Sequence, residues 1–222
     1  MGRYRKLAII IPAHNEEKSL AEVCVNASKL GDVIVIDDNS TDETEKVARS
    51  LAKHTFSSKE QLGYSGAVLS GLKLAENLGY DHAVTIDGDG QHNPKDIEQA
   101  CIGLETSAYI SVGCRNQKGR LAENFIAVLY TRFFGIKDPF SGLKGFNISK
   151  LKPILKSEKE FHMGLTVLNY CLIHKHKIYQ FDIEISQRRT GGSRVGGIIL
   201  GNLRVLNCSK SIKMFFFRKG MV

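Results

Sequence analysis

Asp87 and Asp89 stand one residue apart directly after the apolar run 82–86, and Gly90, Gln91 and His92 follow. In a turn, this spacing brings both carboxylates to one hard divalent cation, and Gly88 between them lets a phosphate approach closely. Mg²⁺ or Mn²⁺ held by one or two carboxylates completes its shell with substrate phosphates and water, which is how a nucleoside diphosphate is commonly held. Two other readings fit the same residues. The aspartates serve a turn as caps, or Asp87, Asp89 and Glu98 occupy the first, third and twelfth places of a calcium loop. The calcium loop needs glycine at its sixth place, where His92 stands, and a helix before it, where a strand is expected. Asp89 is expected at the solvent edge of the turn and Asp87 at the strand end.

A second acidic pair, Asp37-Asp38, closes the apolar run 33–36. Acids at this place hydrogen-bond a ribose or base in nucleotide-binding α/β folds, or cap the next helix. Gly63, Gly66 and Gly71 have the wrong spacing for the dinucleotide fingerprint, which disfavours a dehydrogenase. Arg188, Arg189 and Arg194 flank Gly191 and Gly192, forked donors on a pliable backbone suited to phosphate oxygens; a solvated basic loop is the plain alternative. His14, His92 and His162 have no nameable triad partner, and none is assigned as a base.

The elements that must carry these groups alternate. Leu7–Ile11, closed by Pro12, reads as a buried parallel strand, followed by a helix over Glu17–Leu30 and a strand over Val33–Ile36. Ser40–Glu43 has the chemistry of a helix start. Gly63–Gly66 reads as a loop, Ala67–Asn77 as a helix and His82–Ile86 as the third strand. Downstream, helices are expected over Asp96–Glu105, Leu121–Phe134 and Phe161–His174, and strands over Tyr109–Val112 and Ile178–Ile185. Such alternation predicts a single α/β domain whose mostly parallel sheet has helices on both faces and binds ligands beyond the carboxyl ends of its strands.

Composition agrees with a globular chain: of 222 residues, 42% are hydrophobic and 24% charged. The net charge of +8 suggests nucleic acid until it is located. No acid follows Glu184, and eight of the 31 basic residues lie there, leaving 23 basic against 23 acidic over 1–184. The excess is therefore local, and nucleic acid is not an expected partner. The domain is expected to span 1–197, with 198–222 a basic amphipathic tail that docks on an anionic membrane surface or closes a core or dimer interface. No run approaches the ~20 apolar residues of a spanning helix. Five cysteines at metal-unlike spacings read as reduced thiols, so the expected location is cytoplasmic, peripheral at the membrane face.

Four ordered motifs, Ile11-Pro12-Ala13-His14-Asn15-Glu16-Glu17, Val35-Ile36-Asp37-Asp38-Asn39-Ser40-Thr41-Asp42, Gly63-Tyr64-Ser65-Gly66-Ala67 and Asp87-Gly88-Asp89-Gly90-Gln91-His92, resemble those of family 2 glycosyltransferases with the GT-A fold. The resemblance implies a nucleotide-sugar donor, GDP- or UDP-linked, with Pro12, His14, Glu16 and Asp38 around the nucleoside and Asp87, Asp89 and Gln91 at the metal and diphosphate. The second half is similar to the branch typified by dolichyl-phosphate mannosyltransferase and bacterial polyprenyl-phosphate glycosyltransferases, through Arg115, the stretch Asp138-Pro139-Phe140-Ser141-Gly142-Leu143-Lys144-Gly145-Phe146, and 188–194. Arg115 and Ser141 would then hold an acceptor phosphate, and Arg188 and Arg194 the donor diphosphate. Lys144 stands where arginine is usual and Arg194 where lysine is usual, so charge is kept and geometry is not.

The implied reaction is an inverting displacement. The stretch 161–166, where relatives acting on sugar hydroxyls carry a carboxylate base, holds no acid. A phosphate monoester needs none, since with a second pKa of about 6 it is already largely dianionic at neutral pH. Transfer to a saccharide hydroxyl, with Asp138 or Glu160 as base, is the alternative. A nucleotidyltransferase would use the same sheet, metal pair and basic contacts, and would release pyrophosphate. A nucleic-acid-binding module would rest on the basic tail alone.

Overall fold

The computed structural model describes residues 6–116, 121–156 and 163–184. Its centre is a seven-stranded sheet in the order β3-β2-β1-β4-β6-β5-β7. The strands are β1 (Leu7–Ala13), β2 (Asp32–Asp37), β3 (His54–Ser57), β4 (His82–Thr85), β5 (Ile110–Arg115), β6 (Lys144–Asn147) and β7 (Ile178–Ile183). All run parallel except β6, which pairs antiparallel with both β4 and β5.

Strand alternation sorts the core into two layers. Ala8, Ile10, Ile34 and Ile36 turn to one face, under α3 (Gly63–Asn77), α5 (Leu121–Phe134), α6 (Ile148–Leu155) and α7 (Met163–Ile173). Leu7, Ile9, Ile11, Val33 and Val35 turn to the other, under α1 (Leu20–Ala27), α2 (Thr44–Leu51) and α4 (Pro94–Glu105). Both faces of β1 and β2 are thus buried, which is why these strands are apolar throughout. Four cysteines, Cys24, Cys101, Cys114 and Cys171, are free thiols inside these layers, and burial raises the pKa of each, Cys24 to about 11.

Several sequence expectations are corrected. β1 continues through Pro12 because the proline's ring nitrogen faces the β4 side, where pairing has stopped at Ile10, while Ala13 O accepts from Asp38 N. α1 starts at Leu20 instead of Glu17, and the turn before it is braced by the Glu16 and Glu17 amides, which donate to Thr44 Oγ1 and Asp42 Oδ2. Gly63–Gly66 is the first turn of α3 and not a loop. α4 begins at Pro94 under a capping box made by Asn93 and Asp96. β3, β6 and α6 have no counterpart in the sequence reading; β3 is a half-exposed edge strand, and β6 carries Lys144 and Gly145.

Candidate active site

The carboxyl ends of β1, β2, β4 and β5 meet at one edge of the sheet, and the motif residues collect there. Two loops are braced against each other first. Asn15, at φ 54°, accepts from Thr41 N through its side chain (2.8 Å) and donates its own amide to Ser40 Oγ (2.9 Å). His14 Nδ1 lies 2.8 Å from the Asp38 carbonyl, to which it donates. Glu16 is 9% exposed and accepts from Ser19 Oγ. It packs beside the metal motif, since a Cβ on Gly88 would stand 3.5 Å from Glu16 Cγ and 3.4 Å from Pro12 O. The expected nucleoside residues Pro12, His14, Glu16 and Asp38 are therefore neighbours at the edge.

Asp38 has a role that the sequence reading offered only for the next helix. Its two carboxylate oxygens accept from Leu62 N and Gly63 N, the opening amides of α3, one helix further along the chain. A carboxylate at a helix N-terminus satisfies orphan amides and favours the helix dipole. This capping opens α3, whose first turn holds Gly63-Tyr64-Ser65-Gly66, with Gly63 itself at φ 72°. Asp37 is buried behind it, and its Oδ1 has no hydrogen-bond partner.

The metal motif reverses the expected exposures. Asp89 is 2% exposed and accepts from Gln91 N, whereas the Asp87 side chain is 35% exposed. The turn folds back through Gly90, at φ 79°, so its second aspartate points inward. Burial opposes ionisation of Asp87, but the His92 imidazole 3.3 Å away, Arg115 and the Tyr64 hydroxyl outweigh it and hold the carboxyl below its ordinary range. Burial likewise opposes charge on His92, and the Asp87 carboxylate more than offsets it, so the imidazole pKa is raised. No group of three or more His, Cys, Asp or Glu suited to a metal occurs among the described residues. Two carboxylates alone, one kept anionic, fit a Mg²⁺- or Mn²⁺-type ion that draws its remaining ligands from substrate phosphate and water, and do not fit an all-protein cage.

The stretch 138–146 is packed directly onto this motif. Gly142 O accepts from Thr85 Oγ1 (2.8 Å) and Tyr64 Oη (3.2 Å), and a Cβ on Gly142 would stand 2.6 Å from Asp87 Oδ2. Only glycine lets this backbone lie against the carboxylate. The Tyr64 ring is 43% exposed, while its hydroxyl end is enclosed here, and that enclosure with Asp87 alongside raises the phenol pKa. Tyr64 was quoted in the sequence motif without a role; its contact with a loop 78 residues away leaves no sequence signal.

Arg115, at the end of β5, donates from Nε (2.6 Å) and a terminal nitrogen (2.9 Å) to the Asp138 carboxylate, and reaches Glu123 on α5 at 3.4 Å. Burial works against the Arg115 charge, but Asp138 and Glu123 reverse this and raise its pKa; on the other side, burial of Asp138 is outweighed by Arg115 and its carboxyl is lowered. Ser141 is 2% exposed, and its hydroxyl donates to Leu143 O. Lys144 is also 2% exposed, and its amine donates to Ser141 O. Burial pushes that amine down to about 8, against the pull of Asp138. Charge at this position is thus weaker than an arginine would give. Arg188, Arg194, Glu160, His162 and the tail from residue 198 lie outside the described residues.

The chain is similar to known proteins. The family model described as glycosyl transferase family 2 matches residues 8–157. The chain is 33% identical over 178 residues to a UDP-N-acetylglucosamine–dolichyl-phosphate N-acetylglucosaminyltransferase of Methanococcus voltae, covering 65% of this chain and 70% of that protein. It is 24% identical over 217 residues to a polyprenol monophosphomannose synthase of Mycolicibacterium smegmatis, covering 87% and 82%. Among solved structures, glucosyl-3-phosphoglycerate synthase from Mycobacterium tuberculosis, in complex with Mn²⁺, UDP and phosphoglyceric acid, superposes with a TM-score of 0.73 at 20% identity, over 93% of this chain and 78% of that one. That likeness establishes the fold, a GT-A glycosyltransferase fold.

Proposed function

The chain belongs to glycosyl transferase family 2, and from that premise we propose that it moves a sugar from a nucleoside-diphosphate donor to the phosphate of a polyprenyl lipid, inverting the anomeric carbon. The observation that carries the choice of acceptor is Asp138. A hydroxyl acceptor needs a carboxylate base, and the carboxylate offered by the 138–146 stretch is tied to Arg115 through two hydrogen bonds and held below its ordinary pKa. A base so stabilised as an anion is weak. A phosphate nucleophile needs none. The names of the Methanococcus voltae and Mycolicibacterium smegmatis relatives, with dolichyl phosphate and polyprenol acceptors, support the same reading.

In this reading Asp87 and Asp89, with Gln91, hold a divalent ion, for which the Mn²⁺ in the mycobacterial structure is a precedent. The ion, when bound, neutralises charge on the departing diphosphate. Pro12, His14 and Glu16 line the nucleoside, and Asp38 fixes α3 beside it. Arg115, Lys144 and Ser141 line the acceptor side, where a phosphate dianion competes with Asp138 for the Arg115 guanidinium. Arg188 and Arg194 close on the donor diphosphate, and the tail from residue 198 supplies a peripheral membrane contact. Holding two anionic reactants in line, with charge compensated on each, is the protein's contribution to rate.

The test is incubation with radiolabelled GDP- and UDP-sugars, Mn²⁺ and a polyprenyl phosphate. Label extracted as lipid-linked sugar, with release of nucleoside diphosphate, is the expected result. Label appearing only on saccharide would transfer the assignment to a hydroxyl acceptor, and pyrophosphate release from a nucleoside triphosphate to a nucleotidyltransferase.

A further inference from the structure

The helix α5 is apolar on two sides, and the fold buries one of them. Ile126 (6% exposed) and Tyr130 (0%) face the core, where the Tyr130 hydroxyl donates to Asn169 on α7. On the opposite side Leu121 is 79% exposed, Phe125 67% and Val128 65%. Their spacing of four and three residues, continued by the exposed Arg132, makes one stripe about 16 Å long. Among the described residues, the large apolar side chains exposed on α1, α2, β3, α3 and α4 reach 48% at most and are scattered. A helix apolar on both sides is ordinarily buried on both.

We infer that this stripe is the surface with which the protein lies in the headgroup–acyl boundary of an anionic bilayer. The inference rests on the lipid-phosphate reading of the site. Three observations favour a bilayer over other occupants. The stripe lies on the helix that walls the acceptor side of the site, because Glu123, on the inward side of the same first turn as Leu121, reaches Arg115. It is a convex helix face, suited to a deformable apolar phase, whereas a single isoprenoid chain needs a groove. Its charge is also right: Glu123, turned inward to Arg115, is the one acid between residues 121 and 137, while Arg132 is exposed at the end of the stripe; Lys137 is exposed too but paired with Asp182. A helix lying in a membrane interface combines exposed apolar residues with basic ones in this way. An acceptor phosphate at the headgroup level would then meet Arg115 without leaving the membrane.

The test is co-sedimentation of the full chain with phosphatidylglycerol–phosphatidylcholine vesicles, comparing wild type with Phe125→Ser/Val128→Ser. The partition coefficient is expected to fall about tenfold or more with an unchanged melting temperature. Undiminished sedimentation overturns the inference and leaves the tail as the membrane contact. A wild-type dimer that becomes a monomer in the variant, seen by light scattering, overturns it as well, because a second copy then covers the stripe. If the double substitution lowers the melting temperature, Leu121→Ser, at the most exposed position, provides the same comparison with a smaller expected loss of about threefold. Transfer assays separate the two readings. Loss of vesicle binding with retained transfer to a short, water-soluble polyprenyl phosphate supports both. Loss of vesicle binding in the variant, when even the wild type makes no lipid-linked sugar, supports the membrane surface and overturns the lipid acceptor.

Discussion

The two halves of the site are organised by different means. On the side proposed for the donor, β1, β2 and β4 deliver groups that are fixed through backbone amides: Asp38 by Leu62 N and Gly63 N, Asp89 by Gln91 N, and Asn15 and Glu16 through their own amides to Ser40 and Thr44. On the side proposed for the acceptor, Arg115 at the end of β5 and Asp138 ahead of β6 hold each other by charge, and Lys144 on β6, tied to Ser141 O, feels the Asp138 charge. Amide contacts set the position of a group with little regard to what binds. A charge network is exchangeable, and an anionic substrate enters it by replacing one partner. In the assignment proposed above, the donor half is a socket and the acceptor half an ion exchanger.

Substitutions sharpen this contrast, beginning with the largest effect. Asp89→Asn keeps an oxygen to accept from Gln91 N but removes the charge, so transfer should fall by at least about 100-fold while the melting temperature changes little. Rate assays at saturating Mn²⁺ beside thermal melts check this, and near-normal activity would take Asp89 out of the site. Next, Arg115→Ala strands the Asp138 carboxylate, which is mostly buried, and should destabilise the fold by about 3 kcal/mol in urea titrations. Adding Asp138→Leu should restore most of that loss without restoring transfer. If Arg115→Ala is as stable as wild type, the network is not what holds this half together. The smallest effect belongs to Asp38→Ala, which uncaps α3 and should lower stability by about 1–2 kcal/mol, insensitive to the substitutions at Arg115. Coupling between Asp38 and Arg115 in a double-mutant cycle would erase the distinction between the halves.

The same contrast marks what the sequence made legible. β1, β2 and β4 are buried on both faces, so their apolar runs announce them, and the acids at their ends follow from the topology. β3 lies at the edge with Phe56 and His54 partly exposed, so its pattern is not that of a buried strand. β6 pairs between two strands yet contains lysine and glycine, because Lys144 turns into the site and Gly145 passes Ser111, where a Cβ would stand 2.2 Å from Oγ. The burial of Asp89 depends on the Gly90 turn, and the helical start at Gly63 on a cap 24 residues upstream. Those are tertiary effects that a local pattern does not carry. Asp138 was legible as an acid, but its capture by Arg115, 23 residues away, was not.

The antiparallel strand β6 also bears on how the molecule assembles. Among the described strands, its four residues form the ladder that joins β4 to β5, and so the donor half to the acceptor half. During synthesis, β1 to β4 are complete before residue 144 emerges. β5, made earlier, reaches that part of the sheet only through β6, so its docking waits for residues 144–147. The late step is the one that brings Lys144 and Gly142 against Asp87, so registry between the two substrates is acquired last, at a single seam.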